Sequence, residues 1–401
     1  MKTPRLNAAL AALGFMILCV IGFSFYAQLT EDRYIHTIAP LWWFQKSAGG
    51  ALQRAALRQP DLLPMYGSSE LRAGAARTGR ELLASYPTGF MVFPIGWPKV
   101  GPLSMALTLA ATDAAATNRK IVISLAPSYF SIEDAFYEGD FSALNATELT
   151  FSTHLSFALK QSFAQRMLQY PQTVQHDFIL RFALNQLAND SVLHRVFYGA
   201  VFPLGRLQLW IYRLQDHWEV LSIIQEKQLK TTVHREPTPL DWPETIARLN
   251  LQSELHANNN QFGFDNDYWK THAAELLKQK DSWPDAKLAQ AIQNSPGWHD
   301  LDLLLREVKE LGIQTIILSV PMKGVFFDYL GNSANTRALY YQKMHEVGER
   351  YAIPVFTFET HETDKYFIFD VFDHLSRGGW ATYDQVMDAF YHDTLTNALG
   401  H

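Results

Sequence analysis

The chain has 401 residues, is 48% hydrophobic and 18% charged, and carries a formal net charge of −6. That apolar content suffices for a packed core, in one large domain or two ordinary ones, and is too high for a disordered chain. The weak negative charge, with no basic block, leaves no footprint for nucleic acid as a partner.

Residues 8–27 form an uncharged apolar run, bounded by Arg5 and Glu31. At about 1.5 Å per residue it is long enough for the ~30 Å hydrocarbon core of a bilayer. Lys2 and Arg5 precede it, so the positive-inside rule places the N-terminus in the cytoplasm and the bulk of the chain outside the cytoplasmic membrane, periplasmic or at the cell surface. The alternative is a cleaved signal peptide; the run is long for one, and Phe25-Tyr26-Ala27 is a poor cleavage pattern. The single cysteine, Cys19, lies inside the run, so the remaining chain has no disulfide or cysteine-metal chemistry. The expected organisation is a cytoplasmic tail (1–6), a transmembrane anchor (7–29), a juxtamembrane stalk (30–60) and an α/β domain (61–401). Trp42, Trp43 and Phe44 in the stalk would settle at the headgroups or pack on the domain.

Five short apolar runs read as strands: 61–66, 90–95, 119–126, 313–320 and 353–358. They are continuously apolar rather than alternating, which predicts a parallel sheet covered on both faces. Helical patterns fall at 102–117, 298–311 (stopping at Gly312), 336–351 and 381–398. Alternation of strand and helix implies a doubly wound α/β domain. Residues 150–290 do not alternate; they read as a helical insertion capping the site, broken by an Asn-rich stretch at 257–266. Within it, 192–213 is apolar but interrupted by Arg195, Pro203, Arg206 and Arg213. Central arginines argue against a second span. The segment reads as a buried helix pair, or else as an amphipathic hairpin on a membrane or partner.

The chemistry concentrates in two places. Gly67-Ser68-Ser69 follows the first strand, and Asp370, Asp373 and His374 return near the C-terminus. A serine nucleophile needs a base within hydrogen-bond reach, an acid to orient that base, and N–H donors for the oxyanion. Gly67 permits the tight turn, and Ser69 would stand at the sheet edge where α/β folds bind ligands. His374 is the candidate base. Asp370, four residues before it, could reach the imidazole across one turn; Asp373 would have to curl back. His361-Glu362 and His392-Asp393 lack the spacing of a metal-ligand set, and no phosphate-binding glycine motif occurs, so neither metal nor cofactor is expected.

Several segments in order resemble the DltD family, the D-alanyl transfer proteins of the dlt pathway within the SGNH/GDSL hydrolase superfamily. They are Leu63–Leu71 (LPMYGSSEL), Gly101–Ser104 (GPLS), Leu125–Phe130 (LAPSYF), Phe262–Tyr268 (FGFDNDY), Val320–Gly331 (VPMKGVFFDYLG) and His374–Trp380 (HLSRGGW). The resemblance implies an SGNH-hydrolase-like three-layer domain with Ser69 as nucleophile and His374 as base. It implies an oxyanion N–H near Gly101, and Ser128 where the superfamily's third block offers asparagine. The family usually spaces its acid and histidine as Asp-x-x-His, whereas here Val371 stands three before His374. The loop therefore holds an extra residue, or the acid has moved to Asp373. The activity implied is transfer of a D-alanyl or similar acyl group to a hydroxyl on an envelope polymer, such as teichoic acid, or on a glycolipid. Implied partners are the membrane, a membrane-bound O-acyltransferase and, through that complex, an acyl carrier protein. The same residues would serve an esterase or deacetylase of envelope glycans, and a non-catalytic assembly factor is the third reading.

Overall fold

In a computed structural model of the chain, Leu62–Gly67 (β1), Met91–Gly96 (β2), Lys120–Leu125 (β3), Gln314–Ser319 (β4) and Val355–Phe356 (β5) form one sheet of order β2-β1-β3-β4-β5. All neighbouring strands are parallel. The structure describes residues 4–71, 81–84, 87–112, 115, 119–131, 141–170, 174–232, 236–237, 240–371 and 373–395. The expected strands all appear, the last much shorter than its apolar run. Their side chains are buried on both faces because alternate residues enter different cores. Leu62, Tyr66, Phe93 and Ile123 join one apolar cluster; Leu63, Met65, Val92 and Val122 join another. Only β-branched and large apolar residues satisfy both layers at once, which explains the continuous apolar runs.

Helices cover each face. On one side lie Ala51–Arg58 (α3), Pro102–Ala110 (α5) and Gly297–Glu310 (α13), with Ala334–Tyr351 (α15) beside α13. On the other lies Arg377–Tyr391 (α16), which contributes Trp380, Tyr383 and Met387. The helix expected over 102–117 ends at Ala110; residues 113–114 and 116–117 of it lie outside the described residues, as do 396–398 of the last expected helix.

Pro4–Ile38 (α1) is one continuous 35-residue helix. Its apolar stretch, from Asn7, is long enough to cross a membrane and is not buried against the rest of the chain. The segment 30–60 is folded into the domain rather than standing as a stalk. Ala27, Ile35 and Ile38 are buried, Glu31 meets His217 Nδ1 at 2.6 Å, and α3 packs beneath β1. Lys46 is buried as well, donating to the Ala39 carbonyl and lying over the Phe93 ring. Trp42 stacks on Trp97 and Trp43 packs on the main core, so these aromatics are held by the domain.

The non-alternating stretch is helical, as expected, but it divides between two sides. Ala143–Thr150 (α6), Phe157–Met167 (α7), Phe178–Leu187 (α8) and Val192–Glu226 (α9) form a group that packs on α1, α3, α5 and α13. Trp242–Leu255 (α10) instead packs on α16. Segment 192–213 is neither a helix pair nor a hairpin: α9 runs unbroken for 35 residues through Pro203. It is only half buried. Gly205 sits against the Phe151 ring, where a Cβ would come within 2.1 Å of ring carbon.

Candidate active site

Ser69 opens a single 3₁₀ turn, Ser69–Leu71, directly after β1. In this sheet β1 is flanked by β2 on one side and β3 on the other, so the chain reverses its winding there. Such switch points leave a crevice at the carboxyl ends of the strands. Three side chains hold the turn. Ser68 Oγ donates to the Trp97 carbonyl at 2.9 Å and accepts the Val100 N–H at 3.1 Å. Glu70, buried, accepts the Ser68 N–H at 2.9 Å with one carboxylate oxygen and the Tyr129 hydroxyl at 2.9 Å with the other. Gly67 and Gly96 are paired in the β1–β2 register, and a Cβ on Gly96 would lie 2.2 Å from the Gly67 carbonyl oxygen. Small residues are required there because the two backbones nearly touch.

His374 reaches the turn from the far end of the chain. Ile368 and Leu375 form an antiparallel bridge, and the Phe369 N–H donates to the His374 carbonyl at 2.9 Å, so Asp370 and Asp373 sit in the short loop between these pairs. Lys323, following β4, clamps that loop: its Nζ donates to the carbonyls of Gly263, Lys365 and Ile368. Burial pushes the Lys323 pKa down to about 7, against the opposing pull of Asp364 and Asp370.

The loop brings three sequence-predicted residues together. His374 Nε2 lies 3.2 Å from Ser69 Oγ, and His374 Nδ1 lies 2.6 Å from Asp370 Oδ2. The imidazole is 20% exposed and the Asp370 carboxylate 6%. A base facing the hydroxyl and an acid buried behind it can carry a proton away from an attacking serine. Phe369 stacks on the imidazole at 5.7 Å. Burial works against charge on His374, but the Asp370 hydrogen bond and the charges of Asp370, Glu70 and Asp373 outweigh it and raise its pKa.

Asp373 is placed elsewhere. It takes a left-handed backbone conformation (φ 60°), and its carboxylate accepts the Ser128 N–H at 3.3 Å. Burial raises its pKa to about 7. Ser128 is thus tied to the loop through Asp373. Gly101 caps the N-terminus of α5, in the segment that Val100 joins to Ser68. Glu70, Tyr129 and Lys323 were not singled out from sequence. Glu70 and Tyr129 lie inside the recognised LPMYGSSEL and LAPSYF segments, and Lys323 inside VPMKGVFFDYLG, which was the available signal.

The parallel sheet, the serine turn at the carboxyl ends of its strands and the N-terminal apolar helix, the one candidate span among the described residues, define an SGNH-hydrolase-like α/β protein with a candidate membrane anchor. The family described as DltD protein matches residues 42–392, and the chain belongs to it. It is 24% identical over 343 residues to Protein DltD of Bacillus subtilis (strain 168), covering 85% of each chain. It is 20% identical over 396 residues to Protein DltD of Staphylococcus aureus (strain NCTC 8325 / PS 47), covering 95% of this chain and 94% of that one. Membership fits the D-alanylation pathway.

Proposed function

We propose that this chain transfers an acyl group, D-alanyl in the family's pathway, to a hydroxyl on an envelope polymer such as teichoic acid or on a glycolipid, through Ser69. The observation that carries the reading is the continuous relay from Ser69 Oγ to His374 Nε2 and from His374 Nδ1 to Asp370. In this scheme His374 takes the Ser69 proton as the hydroxyl attacks the donor's acyl carbon. The imidazolium, stabilised by Asp370, returns a proton to the departing oxygen or sulfur. In the second half the acceptor hydroxyl gives its proton to His374 and attacks the acyl-serine, and His374 returns that proton to the departing Ser69 Oγ. Backbone N–H groups of the Ser69 turn and of the Gly101 segment are the candidate oxyanion donors.

In this reading α1 crosses the membrane with Lys2 and Arg5 on the cytoplasmic side, as the positive-inside rule favours, and the domain works on the outer side. A membrane-bound O-acyltransferase, charged by an acyl carrier protein, is the proposed donor partner. The test uses the full chain in detergent or vesicles with a fluorophosphonate probe. Labelling of the wild type and none of Ser69→Ala is the expected result, with envelope acylation in cells falling on the order of 10³-fold or more. Equal acylation with Ser69→Ala would overturn the reading and favour an assembly role.

A further inference from the structure

The outward face of α9 is apolar where a water-soluble domain would be polar. At about 100° per residue, positions from Val192 to Leu214 that fall in one arc of about 140° are all apolar. Leu193, Phe197, Leu204, Leu207 and Ile211 lie in it and are exposed, and Trp218 continues the same line. The opposite arc carries Tyr198, Val201, Gly205 and Leu209, which pack on the domain. Arg195 and Arg206 stand along one border rather than within the stripe. The stripe is roughly 33 Å long at 1.5 Å per residue. Phe178 of α8, also exposed, adjoins it through the Asp177–Gln208 hydrogen bond. A patch this long and unbroken marks an interaction surface.

Its position identifies what it meets. Trp218 packs on Phe23, a residue of the apolar stretch of α1, with ring centroids 6.2 Å apart. Further along, Glu31 meets His217 and, past the end of α9, Lys230 and Thr232 meet Thr37, so the chain from His217 onward runs in the same sense as α1. The part of α9 before His217 therefore lies on the membrane side of this contact. Its apolar stripe is continuous with the lipid-facing surface of α1. Asp216 fixes the angle, accepting the N–H groups of Gly50 and Ala51 at the start of α3.

We propose that this face of α9 lies in the interfacial region of the bilayer that α1 spans, on the domain's side. The domain then rests on the membrane at two places and holds Ser69 at a fixed height. The inference depends on α1 being a membrane span, and the test separates the two.

Full-length protein is reconstituted in phosphatidylcholine–phosphatidylglycerol vesicles with an environment-sensitive fluorophore on single cysteines. The native Cys19 reports on α1. Leu207→Cys and Leu193→Cys, each with Cys19→Ser, report on the stripe, and Glu349→Cys reports on an exposed helix of the domain. Emission at 207 and 193 is expected to shift to the blue and to be quenched by doxyl-lipids rather than by aqueous iodide. Iodide quenching matching that at 349, with Cys19 still lipid-quenched, would overturn the proposal and leave the anchor standing. Shielding from both quenchers would show a protein on this face and overturn it equally. Iodide access to Cys19 would remove the anchor and the proposal together.

Discussion

Asp370 meets His374 at two points: Oδ2 lies 2.6 Å from the ring Nδ1, and Oδ1 accepts the His374 backbone N–H at 3.4 Å. The second contact ties the carboxylate to the backbone that carries the imidazole, so an acid four residues away is held against the ring. Ile368 and Leu375 are bridged on either side, and Asp373 between them takes a left-handed backbone conformation. Asp370 thereby faces the imidazole while Asp373 faces Ser128.

Asp370→Asn keeps the shape and removes the charge. The loss of activity should be on the order of 10⁴-fold, as for other oriented serine–histidine pairs. In the proposed relay neutral imidazole is the base, so the acid limb of the pH–rate profile reports the His374 pKa. The Asp370 hydrogen bond and charge raise that pKa. In the variant the limb should move to lower pH. A limb that stays in place, measured on residual ester turnover, would remove Asp370 from the relay.

Asp373 is buried with its pKa raised to about 7, against 3.8 for an ordinary aspartate. Between these values the folded chain holds a proton that the unfolded chain has lost. Stability therefore falls as pH rises from about 4 to about 7. Asn cannot ionise and tolerates the left-handed conformation. Chemical denaturation of Asp373→Asn across this range should show a smaller decline than the wild type; parallel curves would refute the assignment.

Gly96→Ala should damage the site from one strand away. The new methyl would press on the Gly67 carbonyl, and backbone cannot yield as a side chain can. Parting β1 from β2 would strain the Ser68 bonds to Trp97 and Val100. We expect a loss of about 1–3 kcal/mol in stability and slower fluorophosphonate labelling. Normal labelling at normal stability would show that the close approach is not needed.

Lys323→Met should loosen the histidine loop. It leaves three carbonyls without their donor, at a cost of at least about 3 kcal/mol. The melting temperature should drop, and amide exchange at 368–375 should accelerate more than exchange in β1 or β3. Uniform acceleration would make Lys323 a general stabiliser rather than a clamp on this loop.

Much of the architecture is local and was legible. The strands are continuous apolar runs because both sheet faces are covered, and α13 and α15 follow ordinary helical periodicity. Ser69 and His374 stood out by residue type. The folding of 30–60 into the domain is not legible in the sequence because its burial depends on distant partners: Glu31 on His217, and the start of α3 on Asp216. That α9 is one helix was not legible because Pro203 reads as a break, and apolarity in a row does not say which side of a helix is covered.

The sequence by itself determined the α/β class, the single candidate span and the residue types of the site, since each follows from composition and spacing along a short stretch. The tertiary structure alone decided which aspartate faces His374, that Glu70 and Lys323 brace the two loops, and which face of α9 is left bare. Those are matters of direction in space, set by loop closure and by contacts between residues hundreds of positions apart.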